Sequence, residues 1–298
     1  MRAHRTAGWH LPAHLLELTY ERIEADGASV GMPVGLHCLD RQGDVHRAAV
    51  MVLADVAMAG ALRGRFGATA RLATVNARLD FARTGPAQRL QAVASCRLEI
   101  PGGAVPLCVC SVDILCGTER LGSGEATFAV LDNRRATATH PLPRTSTLHG
   151  VVPLGADELT AEEAGVFALA RTAETPTQPA SSFLEAFWGL IPTTGDGWAE
   201  CVFRPGMHVA NRVGDVQGGI LLALASETGV AAVSPQWRLV DVSARYLAAG
   251  SAGQVMLARA EVVKRGSQIA FVDCRVTDSS DRVVLRADLT LVRHGEQA

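Results

Sequence analysis

Along most of this chain apolar and polar residues alternate in short runs, but twice the alternation stops and apolar residues fill nearly every position. Over 48–62 the one charged residue is Asp55, and no Gly or Pro intervenes before Gly60. Ala, Leu and Met favour helix, so the pattern predicts a helix apolar on every face, which belongs at the centre of a domain. Over 218–232 a second apolar run carries only a short polar interruption at Ser226-Glu227. The alternating runs predict strands near 71–83, 87–100, 105–117 and 120–131 after the first helix. After the second they predict strands near 237–248, 253–264, 267–278 and 282–293. Thr84-Gly85-Pro86, Pro101-Gly102-Gly103 and Gly117-Thr118-Glu119-Arg120 supply turn chemistry between them. A strand broken by Pro33 is expected over 28–39, and another over 198–204. Helices are expected at 11–24, packed on the outside, and at 158–171 and 181–190.

The two helices are introduced by similar segments. Asp40-Arg41-Gln42-Gly43-Asp44-Val45-His46 and Asn211-Arg212-Val213-Gly214-Asp215-Val216-Gln217 agree at four of seven positions, 171 residues apart. Further on, Leu72-Ala73-Thr74-Val75-Asn76-Ala77-Arg78 lines up with Leu239-Val240-Asp241-Val242-Ser243-Ala244-Arg245. Each half therefore runs strand, buried helix, four strands, and the chain is an internal duplication. The expected domains are 1–131, a linker with short helices over 132–195, and 196–298. Antiparallel strands wrapped around an apolar helix give an α+β fold with the helix as its filling.

A length of 298 residues suits two domains, and a formal net charge of -2 supplies no basic field for nucleic acid. The residues up to Tyr20 hold no apolar core of signal-peptide length, and both apolar helices are too short and too interrupted to span a bilayer. The expected setting is cytoplasmic, away from membranes. The seven Cys are odd in number, and Cys108 and Cys110 fall on one face of one strand. They read as small core residues, not as a metal cage.

Asp55 is the first candidate for chemistry. An ionised carboxylate in an apolar helix is costly unless it is paired or its pKa shifts. The run Asn211-x-x-Gly214-x-x-Gln217-Gly218-Gly219 before an apolar helix resembles the N-x-x-G-x-x-H-G-G signature of hotdog-fold acyl-CoA thioesterases of the PaaI type. In that family an Asp or Glu lies nine residues after the signature His, as Asp55 does after His46, and a Ser or Thr follows on the next strand, where Thr74 stands. The resemblance implies a double hotdog: two antiparallel sheets, each wrapped around its central helix. It also implies a homodimer of such chains, an acyl-CoA substrate, and no cofactor beyond the coenzyme A of that substrate.

Neither half holds the whole set. The first keeps His46, Asp55 and Thr74 but has Arg47-Ala48 for the two glycines. The second keeps Asn211, Gly214, Gly218 and Gly219 but has Gln217 for the His, Ser226 for the acid and Asp241 for the Ser or Thr. Nine residues span roughly 13 Å of helix, so a carbonyl at the start of one helix cannot touch the carboxylate of that same helix. The working site must join the Gly218-Gly219 end to Asp55 and Thr74 of the other half. The reciprocal site, His46-Arg47 with Ser226, Glu227 and Asp241, reads as degraded.

In this scheme Gly218 and Gly219 offer free N–H groups to a thioester oxygen, or alternatively serve tight packing. Asn211 and Gln217 orient the carbonyl or a water, unless they only bond within the loop. Asp55 is the base or the nucleophile, and Thr74 holds the water or Asp55. Gly214 and His46 complete the binding set. Arg47 binds a coenzyme A phosphate or fills a dead site with a salt bridge. Glu227, about 100° round the helix from the expected direction, is a candidate acid for the second site. Arg78 and Arg245 read as solvated edge charges. Two rival functions are an acyl-CoA-binding pseudoenzyme, suggested by Gln217 and Ser226, and an enoyl-CoA hydratase. The hydratase signature, Asp-x-x-x-x-His, is not matched, since Asp40 to His46 is one position too long.

Overall fold

The computed structural model describes residues 5, 10–82, 87–101, 105–131, 152–174 and 181–293. A short helix, α1 (Leu11–Leu15), leads into a hairpin of β1 (Thr19–Glu24) and β2 (Gly27–Pro33). The long helix α2 (Arg47–Phe66) follows, and then four strands: β3 (Arg71–Phe81), β4 (Arg89–Ile100), β5 (Leu107–Cys116) and β6 (Glu119–Leu131). Between the halves lie α3 (Ala161–Glu174) and α4 (Phe183–Trp188). The second half has β7 (Thr193–Gly195), β8 (Trp198–Phe203), α5 (Gly218–Ala231), β9 (Trp237–Tyr246), β10 (Met256–Arg265), β11 (Ile269–Asp278) and β12 (Val283–Arg293). The described helices include none long and apolar enough to cross a membrane.

The α+β double hotdog expected from the sequence is what forms, but the sheet is one and not two, and it gains β1 and β7 as unexpected edge strands. The two expected sheets join edge to edge through β3 and β9 into a single sheet, ordered β1-β2-β4-β5-β6-β3-β9-β12-β11-β10-β8-β7. Every neighbouring pair is antiparallel. At the seam Ala77 lies opposite Ala244, the residue that the repeat makes its counterpart. A pseudo-twofold axis therefore passes through this pair, and each half presents its helix to the other across it. Arg78 and Arg245 are exposed, but on these two central strands and not at an edge.

Both long helices are buried as expected, and they pack on each other as well as on the sheet. Gly219 is the close point: a Cβ there would stand 2.7 Å from the Met51 carbonyl oxygen and 2.7 Å from the Val52 Cα. Packing this tight leaves no room for a methyl group, so Gly219 serves the helix–helix contact, the packing alternative given above.

The N-terminal region departs from expectation. The helix expected over 11–24 ends at Leu15, Glu17 turns the chain at a φ of 49°, and β1 begins at Thr19. Thr19, Tyr20 and Ile23 are β-formers, and Tyr20 gains a buried seat against α2. Its ring fills the space above Gly60, where a Cβ would come within 2.4 Å of it, and its hydroxyl donates to the Val56 carbonyl at 3.1 Å. Cys108 and Cys110 are free and buried in the core, as are Cys38, Cys201 and Cys274. Of the expected linker, 132–151 and 175–180 lie outside the described residues.

Candidate active site

The loop that enters α5 is shaped by Asn211. Its Oδ1 accepts from the N–H groups of Val213 at 2.9 Å and Asp215 at 3.1 Å, and Gly214 takes a φ of 85°. The other half repeats this with Asp40, whose Oδ1 accepts from Gln42 at 2.9 Å and Asp44 at 3.0 Å, beside Gly43 at a φ of 84°. Asp and Asn are interchangeable here because the turn needs only a side-chain oxygen. Asn211 therefore spends its acceptor on the loop, and Gly214 serves the turn.

Gln217 caps α5. Its Oε1 accepts from the Ile220 N–H at 3.0 Å, while its Nε2 donates to Asp55 Oδ2 at 2.6 Å. His46 has the same place on α2, with Nδ1 accepting from the Ala48 N–H at 3.1 Å. An amide and a neutral imidazole can both accept on one side and donate on the other. Gln therefore keeps the hydrogen-bond pattern of the expected His and loses only its capacity to become a cation.

Asp55 meets this cap from the middle of α2. Thr74 on β3 donates to its Oδ1 at 3.4 Å. Thr74 reaches inward because β3 bulges between Thr74 and Asn76, and a bulge reverses the side to which residues point. Burial pushes the Asp55 pKa up to about 6, with the Arg63 charge and the Thr74 bond pulling it back. Gly218 faces both groups: a Cβ there would stand 3.1 Å from Asp55 Oδ1 and 3.2 Å from Thr74 Oγ1. The Gly218 N–H, in the first turn of α5, has no partner within the helix. A cavity of about 460 Å³ opens onto this point and is lined by Asp55, Thr74, Asn211, Gln217, Gly218 and Tyr246 among others.

Tyr246 was not singled out from the sequence. It ends β9, and its hydroxyl donates to the Gly218 carbonyl at 2.8 Å, which fixes the peptide that faces Asp55. Burial, with the Asp55 charge adding to it, holds its pKa well above the ordinary value. The repeat aligns Tyr246 with Leu79, an apolar core residue. That break in the repeat is the signal the sequence held.

The reciprocal corner is closed. Arg47 stands in the place of Gly218 and pairs with Glu227 at 3.6 Å, so of the two roles expected for Arg47 it fills the salt bridge. His46 is 3% exposed, with Nε2 3.6 Å from Glu185 Oε1. Neither His46 nor Arg47 lines the cavity at Asp55, so the substrate-binding role expected of them is not one they can fill there. Ser226, the counterpart of Asp55, is fully buried with no partner for its hydroxyl among the described residues.

Asp241 does not join this corner. The β9 bulge falls at Val240, so Asp241 keeps the outward direction of the exposed Ser243 and Arg245. There its charge reaches Arg78. The unforeseen member is Glu185, carried in by α4. Ligand atoms of His46, Glu185 and Glu227 lie within 4.8 Å of one another, close enough to hold a cation. Arg41 at 3.4 Å from Glu185 and Arg47 at 3.6 Å from Glu227 already supply positive charge to both carboxylates.

Known proteins resemble this chain in keeping with that geometry. Residues 209–292 match the family model described as the acyl-CoA thioesterase N-terminal domain. No curated protein matches the sequence. Among solved structures, the tesB protein of Mycobacterium avium subsp. paratuberculosis has a TM-score of 0.59 at 12% identity, covering 96% of this chain and 100% of its own. The acyl-CoA thioesterase II TesB2 of Mycobacterium marinum has a TM-score of 0.55 at 14% identity, covering 96% of this chain and 100% of its own. The hotdog fold expected from the sequence is borne out, and the family model matched by the second half is one of acyl-CoA thioesterases, while the finer PaaI-type assignment is not what the match carries. The chain is a double hotdog whose second half matches the acyl-CoA thioesterase family.

Proposed function

We infer that the chain hydrolyses an acyl-CoA thioester at one composite site, made by the start of α5 and the middle of α2. The observation that carries this reading is the meeting of Gln217, Gly218, Asp55 and Thr74. A capped helix N-terminus with a free N–H faces a carboxylate of raised pKa from the other half. The thioester oxygen sits at the Gly218 N–H, where the helix dipole favours the negative charge that develops.

Gln217 anchors Asp55 Oδ2, which leaves Oδ1 and the Thr74 hydroxyl to hold a water. Asp55 takes a proton from that water as its oxygen bonds to the carbonyl carbon. The tetrahedral intermediate then collapses, the C–S bond breaks, and the proton passes from Asp55 to the leaving thiolate. A base with a pKa near 6 is ionised at neutral pH yet basic enough to hold the proton in transit. Coenzyme A enters as part of the substrate.

Pairing of two copies fits the exposed Trp198, Val202, Ile269 and Phe271 on the second half, and sedimentation would measure it. The test of function is free-thiol release from short, medium, long and aryl acyl-CoA. Turnover in the wild type that disappears in Asp55→Asn is the expected result. Tight acyl-CoA binding without thiol release would move the chain to the pseudoenzyme reading. Loss of an enoyl chromophore without thiol release would make it a hydratase.

A further inference from the structure

The cavity beside Asp55 is also lined by three arginines that take no part in the steps above, Arg63, Arg71 and Arg212, and the charges of Arg63 and Arg212 bear on one another. Arg63 lies on α2, eight residues beyond Asp55, with Val56 and Ala59 lining the cavity between them. Arg212 comes from the loop before α5, in the other half of the chain. Neither makes an ion pair with a carboxylate among the described residues, where thirteen arginine–carboxylate pairs occur elsewhere. Arg63 Nε is buried without a hydrogen-bond partner. Both charges bear on the buried Tyr20 hydroxyl, and each opposes the other: burial and the Arg63 charge bring the Arg212 pKa down to about 10. Asp55 feels the Arg63 charge and Asp215 lines the same cavity, but with no carboxylate in contact with either guanidinium the two like charges held together there are unfavourable. An anionic group seated between them would relieve that cost.

The position says which anion. Eight helical residues advance roughly 12 Å, and helical side chains lean back towards the N-terminus, so the Arg63 guanidinium lies nearer to Asp55 than that. The pantetheine arm places thirteen bonds between the thioester sulfur and the first phosphate, roughly 16 Å when extended. A carboxylate at the far end of a six-carbon acyl group is five bonds, roughly 6 Å, from the thioester carbon. The closed corner supplies an internal precedent. Arg41, the counterpart of Arg212 in the repeat, pairs there with a carboxylate, that of Glu185, at 3.4 Å.

We propose that Arg63 and Arg212 form an anion subsite at the acyl end of the cavity, and that it selects acyl groups ending in a carboxylate. The inference rests on the thioesterase reading and adds a substrate class to it, the thioesters of dicarboxylic acids.

The test compares adipoyl-CoA with hexanoyl-CoA at pH 8, and then the same two acyl groups as N-acetylcysteamine thioesters, which lack phosphates. Wild type is expected to prefer the adipoyl thioester by about 100-fold in kcat/KM in both series. Arg63→Met and Arg212→Met should each cut that ratio by about tenfold or more. Arg63→Lys, which keeps the charge, should restore part of it. Equal turnover of adipoyl and hexanoyl groups by wild type would overturn the proposal and leave the thioesterase standing. So would arginine variants that weaken both CoA thioesters alike while the N-acetylcysteamine series is unaffected, since the arginines would then serve a coenzyme A phosphate. No turnover of any thioester would overturn both readings.

Discussion

At the start of α5 an amide caps the helix, a glycine follows it, and a carboxylate from the other helix faces the glycine across open space. At the start of α2 an imidazole caps the helix, an arginine follows it, and two carboxylates crowd around them. The corners are related by the pseudo-twofold axis at Ala77 and Ala244, and both hold acids near a helix N-terminus. The difference is occupancy. Beside Gly218 there is a cavity, whereas the Arg47 side chain and Glu185 fill the corresponding place with an internal ion cluster. The duplicated corner therefore differs twice over, with Ser226 where the other has its acid and with the matching space taken by side chains of the chain itself.

Removing the acid on each side should separate the corners most sharply. Asp55→Asn keeps the shape and the Gln217 contact but cannot take a proton, and kcat should fall by about 1,000-fold. Glu227→Gln, in the closed corner, should leave kcat near wild type. Stopped-time thiol release measures both, and an equal loss in the two variants would mean that both corners turn over. Asp55→Asn should also raise the melting temperature by a few degrees at pH 8, because an ionised carboxylate held against burial no longer has to be accommodated.

Geometry provides the next break. Gly218→Ala would put a methyl group 3.1 Å from Asp55 Oδ1 and 3.2 Å from Thr74 Oγ1, in the space that the thioester needs. A displaced substrate costs about 100-fold in kcat/KM. Arg47→Ala, at the matching position, should leave kcat/KM unaltered. If Gly218→Ala is as active as wild type, the carbonyl does not bind at this helix terminus.

The pH profile sharpens the comparison from the electrostatic side. The base form of Asp55 is lost as pH falls through about 6, so kcat/KM at pH 5 should be about tenfold below its plateau. Because the folded pKa lies above the unfolded one, the stability linked to this group runs the other way. It increases as pH falls through 6 and is complete below the ordinary Asp value of 3.8. Activity and the Asp55 contribution to stability should therefore cross in opposite directions over pH 4–7. A flat activity profile across pH 5–7 would exclude Asp55 as the group that titrates.

Much of this arrangement could be read from the residues. Two runs apolar on every face but for Asp55 and Ser226-Glu227 read as buried helices, and the Asp40 and Asn211 loops carry the same turn chemistry, which exposed the duplication. The proposed composite pairing followed from helix length together with the thioesterase signature split between the halves, since a helix N-terminus and a residue nine positions on are too far apart to share an atom. What escaped depends on contacts between distant segments. The stretch around Tyr20 reads as helix, and the seat of its ring at Gly60 together with the pairing to β2 makes it a strand. Thr74 turns inward and Asp241 outward because their strands bulge at different positions, which no side-chain pattern announces. Glu185 sits in a short helix between the halves, outside the repeat, so its arrival between His46 and Arg41 had no signal in the matching segments.

That arrival makes the smallest and most specific prediction. Glu185 bonds to the Ser182 N–H at 2.6 Å within a capping box, approaches His46 at 3.6 Å, and pairs with Arg41 at 3.4 Å. Burial alone would raise its pKa, but His46, the Ser182 N–H and Arg41 outweigh burial and hold it below the ordinary value. Its stabilising effect is then present above the unfolded value of 4.5 and fades as pH falls through the lower folded one. Glu185→Ala should destabilise the fold by about 1 kcal/mol at pH 7, the scale of a lost cap and a half-exposed ion pair, and by less at pH 4. Thiol release should be unaltered, because the corner that the substitution opens still has Ser226 where the other has Asp55. Denaturant unfolding at the two pH values measures the first part. A gain in turnover would show that the plug, and not the missing acid, is what keeps the second corner silent.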